Sequence, residues 1–312
     1  MSDDEVRGVE GDRPGVPPIA GLLLGIVAVS TASMWIRLAQ ATVSSLAVAA
    51  WRLTFASLIL APFAMATARA EWRRLHSSDW LSLLASGVAL AIHFYTWITS
   101  LALTSVAASV ALVSTNCLFV AVLAHFVLGE RVRPRMVLGI LIALVGTVII
   151  GWGDLGAGPG YLLGDFLAVL GAVSVAFYML IGRQQRQKLS LLGYVFPVYG
   201  IAAIVLMGVA LLSGTPLRGY GAETWGWLLL VALIPQVIGH SSFNWALGHL
   251  SPTYISLAVL AEPIGATILV WWVLHEPPGA AAVLGGVIIL VGIVLATWKR
   301  RSGEGLDQEK NA

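Results

Sequence analysis

Charged side chains are scarce in this sequence. They make up 11% of its 312 residues, whereas soluble domains carry about a quarter. Apolar side chains make up 58%, more than a soluble globule can hide from water. In lipid, only helices and closed barrels satisfy all of their own backbone polar groups. The apolar stretches run for about 20 residues without strict alternation, which excludes a barrel and predicts spanning helices.

Other features are missing as well. The single cysteine, Cys117, offers neither a disulfide framework nor a metal cluster, and a net charge of +2 does not favour nucleic acid as a partner. The first residues are acidic and proline-containing, without a basic segment before an apolar core, so we interpret them as a disordered tail rather than a signal peptide. No Gly-x-x-x-x-Gly-Lys-Ser/Thr loop occurs, so we expect no nucleotide hydrolysis and no cofactor.

Ten apolar segments are predicted to span a membrane. They cover residues 19–38, 46–67, 80–102, 105–128, 135–152, 162–182, 192–213, 224–247, 253–274 and 279–298. With this count, the basic clusters after spans two, four, six and ten all fall on one side. They are Arg69, Arg73 and Arg74; Arg131, Arg133 and Arg135; Arg183, Arg186 and Lys188; and Lys299, Arg300 and Arg301. Because cytoplasmic loops are rich in Lys and Arg, both termini are predicted to be cytoplasmic in a multi-pass plasma-membrane protein.

The chain resembles itself when it is shifted by 146 residues. Residues 127–148 align with 273–294 without a gap, and 11 of the 22 positions are identical. The shift also pairs Arg37 with Arg183. Each copy holds five spans, and since five is odd the second copy enters the membrane upside down. Inverted repeats are typical of secondary transporters, in which two near-equivalent halves exchange conformations around a central site.

The predicted fold class is an all-α integral membrane protein with ten transmembrane helices, arranged as two inverted five-helix repeats. A disordered cytoplasmic tail at 1–18 precedes the first repeat at 19–152. An external linker at 153–161 leads to the second repeat at 162–298, and a cytoplasmic tail at 299–312 follows.

The repeated pattern resembles a known family. It runs Ser105…Leu128-Gly129-Glu130…Gly139…Gly146 and recurs as Ser251…Glu262-Pro263…Leu274-His275-Glu276…Gly285…Gly292. Over residues 19–298 it is similar to the EamA-type branch of the drug/metabolite transporter superfamily. The resemblance implies a bundle whose spans one to four and six to nine surround a cavity, and export of amino acids, other metabolites or drugs. Asn116-Cys117 stands where members often have a proline and where the second repeat has Glu262-Pro263.

Two ionisable residues at membrane depth are functional candidates, because burying them in lipid is costly. Glu262 lies near the middle of span nine, directly before a proline that removes a backbone hydrogen bond. Desolvation favours the protonated carboxyl group, so Glu262 is a candidate for substrate recognition or proton coupling, with a structural helix contact as the alternative. Arg52, in span two, is a candidate for pairing with a substrate carboxylate or an acidic side chain. The alternative is snorkelling to the outer interface, and a structural or gating role is favoured.

Further side chains are predicted to line the same cavity. His93 and Trp97 lie one helical turn apart in span three, and His240 and Asn244 do so in span eight. Together with Asn116, the repeat mate of Glu262, they would supply few polar anchors among aromatic walls, as small-molecule sites do. Hydrogen bonding between helices is the alternative. Trp35, near the end of span one, is predicted to close the outer mouth.

Two further sets of residues are predicted to be structural. Glu130 and Glu276 end spans four and nine, where a carboxylate can meet the positive end of the next helix. Small residues form stripes on spans five and ten, around Gly139 and Gly146 and around Gly285 and Gly292. Such stripes permit close helix contact, within the monomer or, as the less favoured option, in a homodimer.

The predicted function is secondary transport or export of a small metabolite or drug-like solute, an amino acid or amphipathic compound, by alternating access with optional proton coupling. A passive facilitator or channel is the alternative that remains open. An intramembrane enzyme is not favoured, because His93, His240 and Glu262 come from three helices without metal-ligand spacing. The expected partners are the solute and the lipid bilayer, with no metal.

Overall fold

The computed structural model describes residues 17–129, 134–152, 159–274 and 280–297, and within these ranges the regular structure is helical. The predicted tails and external linker lie largely outside the described residues. The helices are α1 (Pro18–Ser30), α2 (Ala32–Gln40), α3 (Ser45–Thr67), α4 (Arg69–Trp72), α5 (Ser77–Leu103), α6 (Val106–Val113), α7 (Asn116–Leu128), α8 (Pro134–Trp152), α9 (Pro159–Gln185), α10 (Leu191–Leu212), α11 (Ala222–Val231), a π-helical segment (Ala232–His240), α12 (Ser241–Leu247), α13 (Pro252–Val259), α14 (Glu262–Leu274) and α15 (Ala280–Thr297).

Within the described ranges, eight helical stretches are long and apolar enough to cross a membrane. Two shorter apolar helices, Pro134–Ile149 and Val283–Leu295, occupy the predicted fifth and tenth spans. All ten predicted spans therefore correspond to apolar helices. Spans one, four, eight and nine are each built from more than one helical segment.

Serine side chains begin four of the spans at repeat-related positions. Ser44 Oγ accepts a hydrogen bond from Ala47 N at 3.3 Å, and its mate Ser190 accepts one from Gly193 N at 3.0 Å. Ser105 and its mate Ser251 accept equivalent bonds at 3.1 and 3.2 Å. An N-cap serine satisfies one of the backbone N–H groups that a helix start leaves unpaired. The signals that start these helices are therefore duplicated along with the spans.

Long-range contacts are duplicated at the same offset. Arg37 Nη1 donates to Leu101 O at 2.8 Å, and Arg183 Nη1 donates to Leu247 O at 2.7 Å. A second pair of equivalent bonds joins Gln40 Nε2 to Ile98 O and Arg186 Nε to Asn244 O. In each case both donor and acceptor are shifted by 146 residues. The predicted fold class, two inverted five-helix repeats, is confirmed.

The small-residue stripes of α8 and α15 form a contact within the monomer. A Cβ atom on Gly146 would lie 2.5 Å from Gly285 O, and one on Gly292 would lie 2.5 Å from Gly139 O. The two contacts are related by the repeat, because Gly146 is the mate of Gly292 and Gly139 is the mate of Gly285. Both involve backbone oxygen atoms, which cannot rotate away. The absence of side chains therefore lets the two helices approach closely.

Spans four and nine are interrupted at equivalent positions, by Ser114-Thr115 and by Leu260-Ala261. The second interruption precedes Pro263, as predicted. The first has no proline. There the hydroxyls of Ser114 and Thr115 bond back to Val110 O and Leu112 O, at 2.7 and 2.6 Å, a pattern that bends helices. The proline is therefore not required for the interruption.

We expect Gly292→Ala to lower the free energy of unfolding by about 1–3 kcal/mol, because the new methyl group would push α15 away from α8. Thermal unfolding in detergent, followed by tryptophan fluorescence, measures this effect. Gly208→Ala is the matched control, since a Cβ there meets nothing within 4 Å. Equal midpoints for the two variants would contradict the close contact.

Candidate functional site

A cavity of about 50 Å³ lies between the two repeats. Its lining includes six of the predicted site residues: Asn116, His93, Trp97, His240, Asn244 and Glu262. Since one water molecule needs about 10–15 Å³ by the same measure, the cavity holds a few waters and is smaller than a metabolite. The structure therefore brings the predicted residues together around a site that must widen to admit a solute.

Asn116 and Glu262 reach the cavity from the first residues of α7 and α14. They are repeat mates, 7% and 9% exposed, so the two helix interruptions carry an amide on one side and a carboxyl group on the other. Asn116 Oδ1 is buried without a hydrogen-bond partner. The two positions therefore border the cavity with an amide in one repeat and a carboxyl group in the other.

The two histidines stand close together in an aromatic wall. The ring centroid of His93 lies 6.0 Å from that of Trp97 and 6.4 Å from that of His240. His93 Nδ1 lies 2.9 Å from Gly171 O. Because a carbonyl only accepts, Nδ1 carries the hydrogen, and in the neutral ring Nε2 is an acceptor. The wall is therefore aromatic with a few defined polar atoms.

Asn244 is held in a hydrogen-bond network between helices. Its Nδ2 donates to Tyr178 Oη at 2.6 Å, to Tyr199 Oη at 3.3 Å and to His240 O at 2.7 Å. This network supports the structural alternative for Asn244. Sequence reasoning missed Tyr178 and Tyr199, because a tyrosine in an apolar span carries no pattern that sets it apart.

Arg52 is fully buried, so the structure contradicts the snorkelling alternative. Its Nε donates to Gln236 Oε1 at 2.8 Å, and its guanidinium carbon lies 3.9 Å from the centroid of the Phe94 ring. A desolvated cation–π contact contributes about 2 kcal/mol. Arg52 Nη1 and Nη2 have no partner, which costs about 1–3 kcal/mol for each buried donor. Gln236 was not identified from the sequence, although a polar amide next to Pro235 in the middle of a span could have indicated a functional position.

The carboxyl group of Glu262 is within electrostatic reach of Arg52. Among the described residues, however, the ion pair within 4.0 Å is that of Lys188 and Asp79, and Arg52 is not paired. The cavity region therefore contains a buried cation and an acid that do not touch each other.

Contacts between the repeats at one end of the bundle form an aromatic cluster of Trp35, Trp51, Trp225 and Trp227. Trp35 stacks on Trp227 with ring centroids 5.5 Å apart, and Trp51 meets Trp225 edge-on at 5.0 Å. Thr42 and Thr224 hydroxyls lie 2.9 Å apart beside them. Trp35 does not line the cavity. It lies at an end of the bundle, and its role in closing the outer mouth stays a prediction.

Contacts at the opposite end form a charged cluster of Glu71, Asp79 and Lys188. Lys188 Nζ lies 2.8 Å from Asp79 Oδ1, and Glu71 Oε2 accepts from Ser190 N at 2.9 Å. The two clusters occupy equivalent positions in the repeats, because the 146-residue shift pairs Thr42 with Lys188, Trp225 with Asp79 and Leu217 with Glu71. At the two ends of the bundle the repeats are thus joined by different kinds of contact, aromatic stacking at one end and an ion pair at the other.

Two predicted structural residues, Glu130 and Glu276, lie outside the described residues. Within the described ranges, no group of three or more His, Cys, Asp and Glu side chains is placed to hold a metal ion.

Several known proteins are similar to this chain. An uncharacterized transporter of Archaeoglobus fulgidus is 29% identical over 233 residues, which are 72% of this chain and 78% of that protein. An uncharacterized transporter of Clostridium kluyveri is 26% identical over 270 residues, 82% and 84% of the two chains. The aromatic amino acid exporter YddG of Ancylobacter novellus is 28% identical over 191 residues, 58% of this chain and 63% of that exporter.

The similarity extends to fold and to both repeats. A protein crystal structure superposes with a TM-score of 0.74 at 20% identity, covering 89% of this chain and 96% of that one, which shows a shared fold. The model of the EamA-like transporter family matches residues 17–152 and 162–298. These two matches cover most of the sequence, one for each repeat, and the chain belongs to the EamA-like transporter family.

Proposed function

We propose that this chain is a secondary transporter that exports a small amphipathic solute, such as an amino acid, across the plasma membrane by alternating access. The observation that carries the proposal is the small cavity between two inverted repeats, with inter-repeat contacts of different chemistry at its two ends. Family membership supports transport, and the aromatic amino acid exporter among the relatives supports a cargo of this size.

In this mechanism the aromatic and charged clusters are the two gates. Opening one gate while the other stays closed exposes the cavity to one side of the membrane only. Since the repeats are inverted, the exchange of their conformations reverses which gate is open. A channel would require both gates to be open at once, whereas a passive facilitator would use the same gates without coupling to an ion gradient. Both remain alternatives.

Glu262 is the proposed site of proton coupling. It begins α14 at a helix interruption, it borders the cavity, and it lies within electrostatic reach of a buried arginine. Gain or loss of a proton there changes the charge balance between two buried groups, and with it the relative energy of the conformations that expose them.

The proposed orientation places both termini and the charged cluster in the cytoplasm, following the basic residues after spans two and six. No covalent chemistry is assigned to the cavity. A homodimer through α8 and α15 remains a proposal. It would use outward faces that expose Val145 and Val291, because the glycine faces are already engaged within the monomer.

We expect Glu262→Gln to abolish the acceleration of export by an imposed proton gradient, because the amide cannot exchange a proton. Liposomes that contain the purified protein, assayed with a panel of aromatic amino acids, other metabolites and amphipathic drugs, measure this effect. Glu223→Gln, at an exposed position, is the matched control. A flux that ignores the gradient in the wild type, or that Glu262→Gln leaves unchanged, removes the coupling role. No flux of any panel member above that of empty liposomes contradicts transport.

Oxidation of a Thr42→Cys/Thr224→Cys variant should stop transport and reduction should restore it, because a disulfide would hold the aromatic end closed. The two hydroxyls are 2.9 Å apart, close enough for the sulfur atoms to meet after a small adjustment. The background carries Cys117→Ser to remove the native thiol. Each single cysteine variant serves as control. Undiminished flux through the cross-linked protein would show that this end does not open.

A further inference from the structure

We propose that Arg52 and Gln236 form an anchor for a carboxylate group of the transported solute, next to the cavity; this rests on the proposed transport function. The anchor lies between the repeats, since Arg52 belongs to α3 of the first and Gln236 to the π-helical segment of the second.

Four unpartnered polar atoms around Arg52 are donors. They are Arg52 Nη1 and Nη2, Gln236 Nε2 and Trp97 Nε1, each buried without a hydrogen-bond partner. Tyr199 and Glu262 lie within electrostatic reach of Arg52, but neither hydrogen-bonds to its Nη1 or Nη2. These buried donors therefore require an acceptor, and for a guanidinium the best match is a planar oxyanion such as a carboxylate. Native proteins rarely leave several such groups unsatisfied at one place without a reason.

The geometry selects one edge of the guanidinium. Phe94 covers one face of the group at 3.9 Å, and Gln236 Oε1 occupies the Nε position at 2.8 Å. Two nitrogens, Nη1 and Nη2, remain for a two-point contact with a carboxylate. Trp97, whose ring centroid lies 6.0 Å from the guanidinium carbon, lines the cavity, whereas Arg52 and Gln236 do not. The cavity must therefore widen past Trp97 before a carboxylate reaches the anchor.

Repeat symmetry argues against a purely structural pair. The scaffold contacts of Arg37 and Arg183 appear in both halves. The mates of Arg52 and Gln236, in contrast, are Val198 and Leu90, both fully buried and apolar. The fold accommodates two buried apolar side chains at the equivalent positions, so it does not need a buried cation here.

The acceptors of the cavity come from other helices. Asn116 Oδ1 and Asn244 Oδ1 are unpartnered, and Glu262 borders the same space from α14. The donors lie on α3, α5 and the π-helical segment, whereas these acceptors lie on α7, α12 and α14. The complementary solute is an amphipathic carboxylate that carries a hydrogen-bond donor elsewhere on an apolar body.

Matched aromatic probes test the anchor on the purified full chain in detergent. The carboxylate 3-phenylpropionate and the amine phenethylamine, at equal ionic strength, differ in the head group that Arg52 would recognise. We expect the carboxylate to raise the thermal unfolding midpoint of the wild type and the amine to have no such effect. Arg52→Gln should weaken the carboxylate response by roughly tenfold or more, since hydrogen bonds to a charged group are lost, and Arg52→Lys should restore it in part.

Gln236→Glu supplies an internal carboxylate beside Arg52. Because this variant keeps Arg52, it tests the anchor even if the Arg52 variants do not fold. It should raise the midpoint without any probe and abolish the response to 3-phenylpropionate. Arg37→Gln is the control, because it removes a scaffold arginine and should keep the carboxylate response. Equal responses of wild type and Gln236→Glu, or no response of the wild type to the carboxylate up to its solubility, overturn the anchor.

Transport measurements in liposomes distinguish the carboxylate anchor from the proposed transport function. If liposomes show no transport but carboxylate binding depends on Arg52, transport fails and the anchor stands. If carboxylates are transported equally well by wild type and Arg52→Gln, transport stands and the anchor fails. If Glu262→Gln alone removes the preference for the carboxylate while Arg52→Gln keeps it, the recognition belongs to Glu262 and the anchor is wrong.

Discussion

Backbone hydrogen bonding in lipid is the constraint on which this structure depends. Any interruption of a spanning helix frees carbonyl and amide groups, and in hydrocarbon these have no water to bond to. Interruptions are therefore tolerated only inside the bundle. The chain interrupts spans four and nine at repeat-related positions, and the residues directly after the interruptions, Asn116 and Glu262, both border the cavity. The candidate site thus lies beside the helix interruptions, inside the bundle, where the freed backbone groups are shielded from lipid.

The two repeats share a scaffold and differ in chemistry. The serine caps, the contacts of Arg37 and Arg183, and the close approach of α8 to α15 all recur at one offset. The polar residues at and near the cavity do not recur: Glu262 has an amide as its mate and Arg52 has a valine, whereas the lining residues Val29 and Val113 recur as Val175 and Val259. Duplication thus accounts for the architecture, and the departures from it include the positions that are proposed to act on a solute.

The fold could be predicted from the sequence because its signals are local. Span length, loop charge and the identities between residues 127–148 and 273–294 can all be recognised in the sequence without knowing how the helices pack. The candidate site was predicted in part for the same reason, since His93, Trp97, His240 and Asn244 follow helical spacing. The partner of Arg52 could not be predicted, because Gln236 lies 184 residues away and meets it only through the path of the folded chain. The interruption of span four could not be predicted either, because Ser114 and Thr115 are residue types that also occur within unbroken helices.

The unlike chemistry of the two ends has a consequence for the balance between the conformations. Dissolved ions reach the Lys188 end of the pair that Lys188 forms with Asp79, whose side chains are 60% and 9% exposed, and screen it in part, but they have little effect on stacked indole rings. Cooling weakens apolar association, and it does not weaken ionic attraction in the same way. If the two clusters are the gates, as proposed, the preference for one face of the membrane depends on salinity and temperature, and a cell in cold or saline surroundings would hold this protein in a different mixture of states.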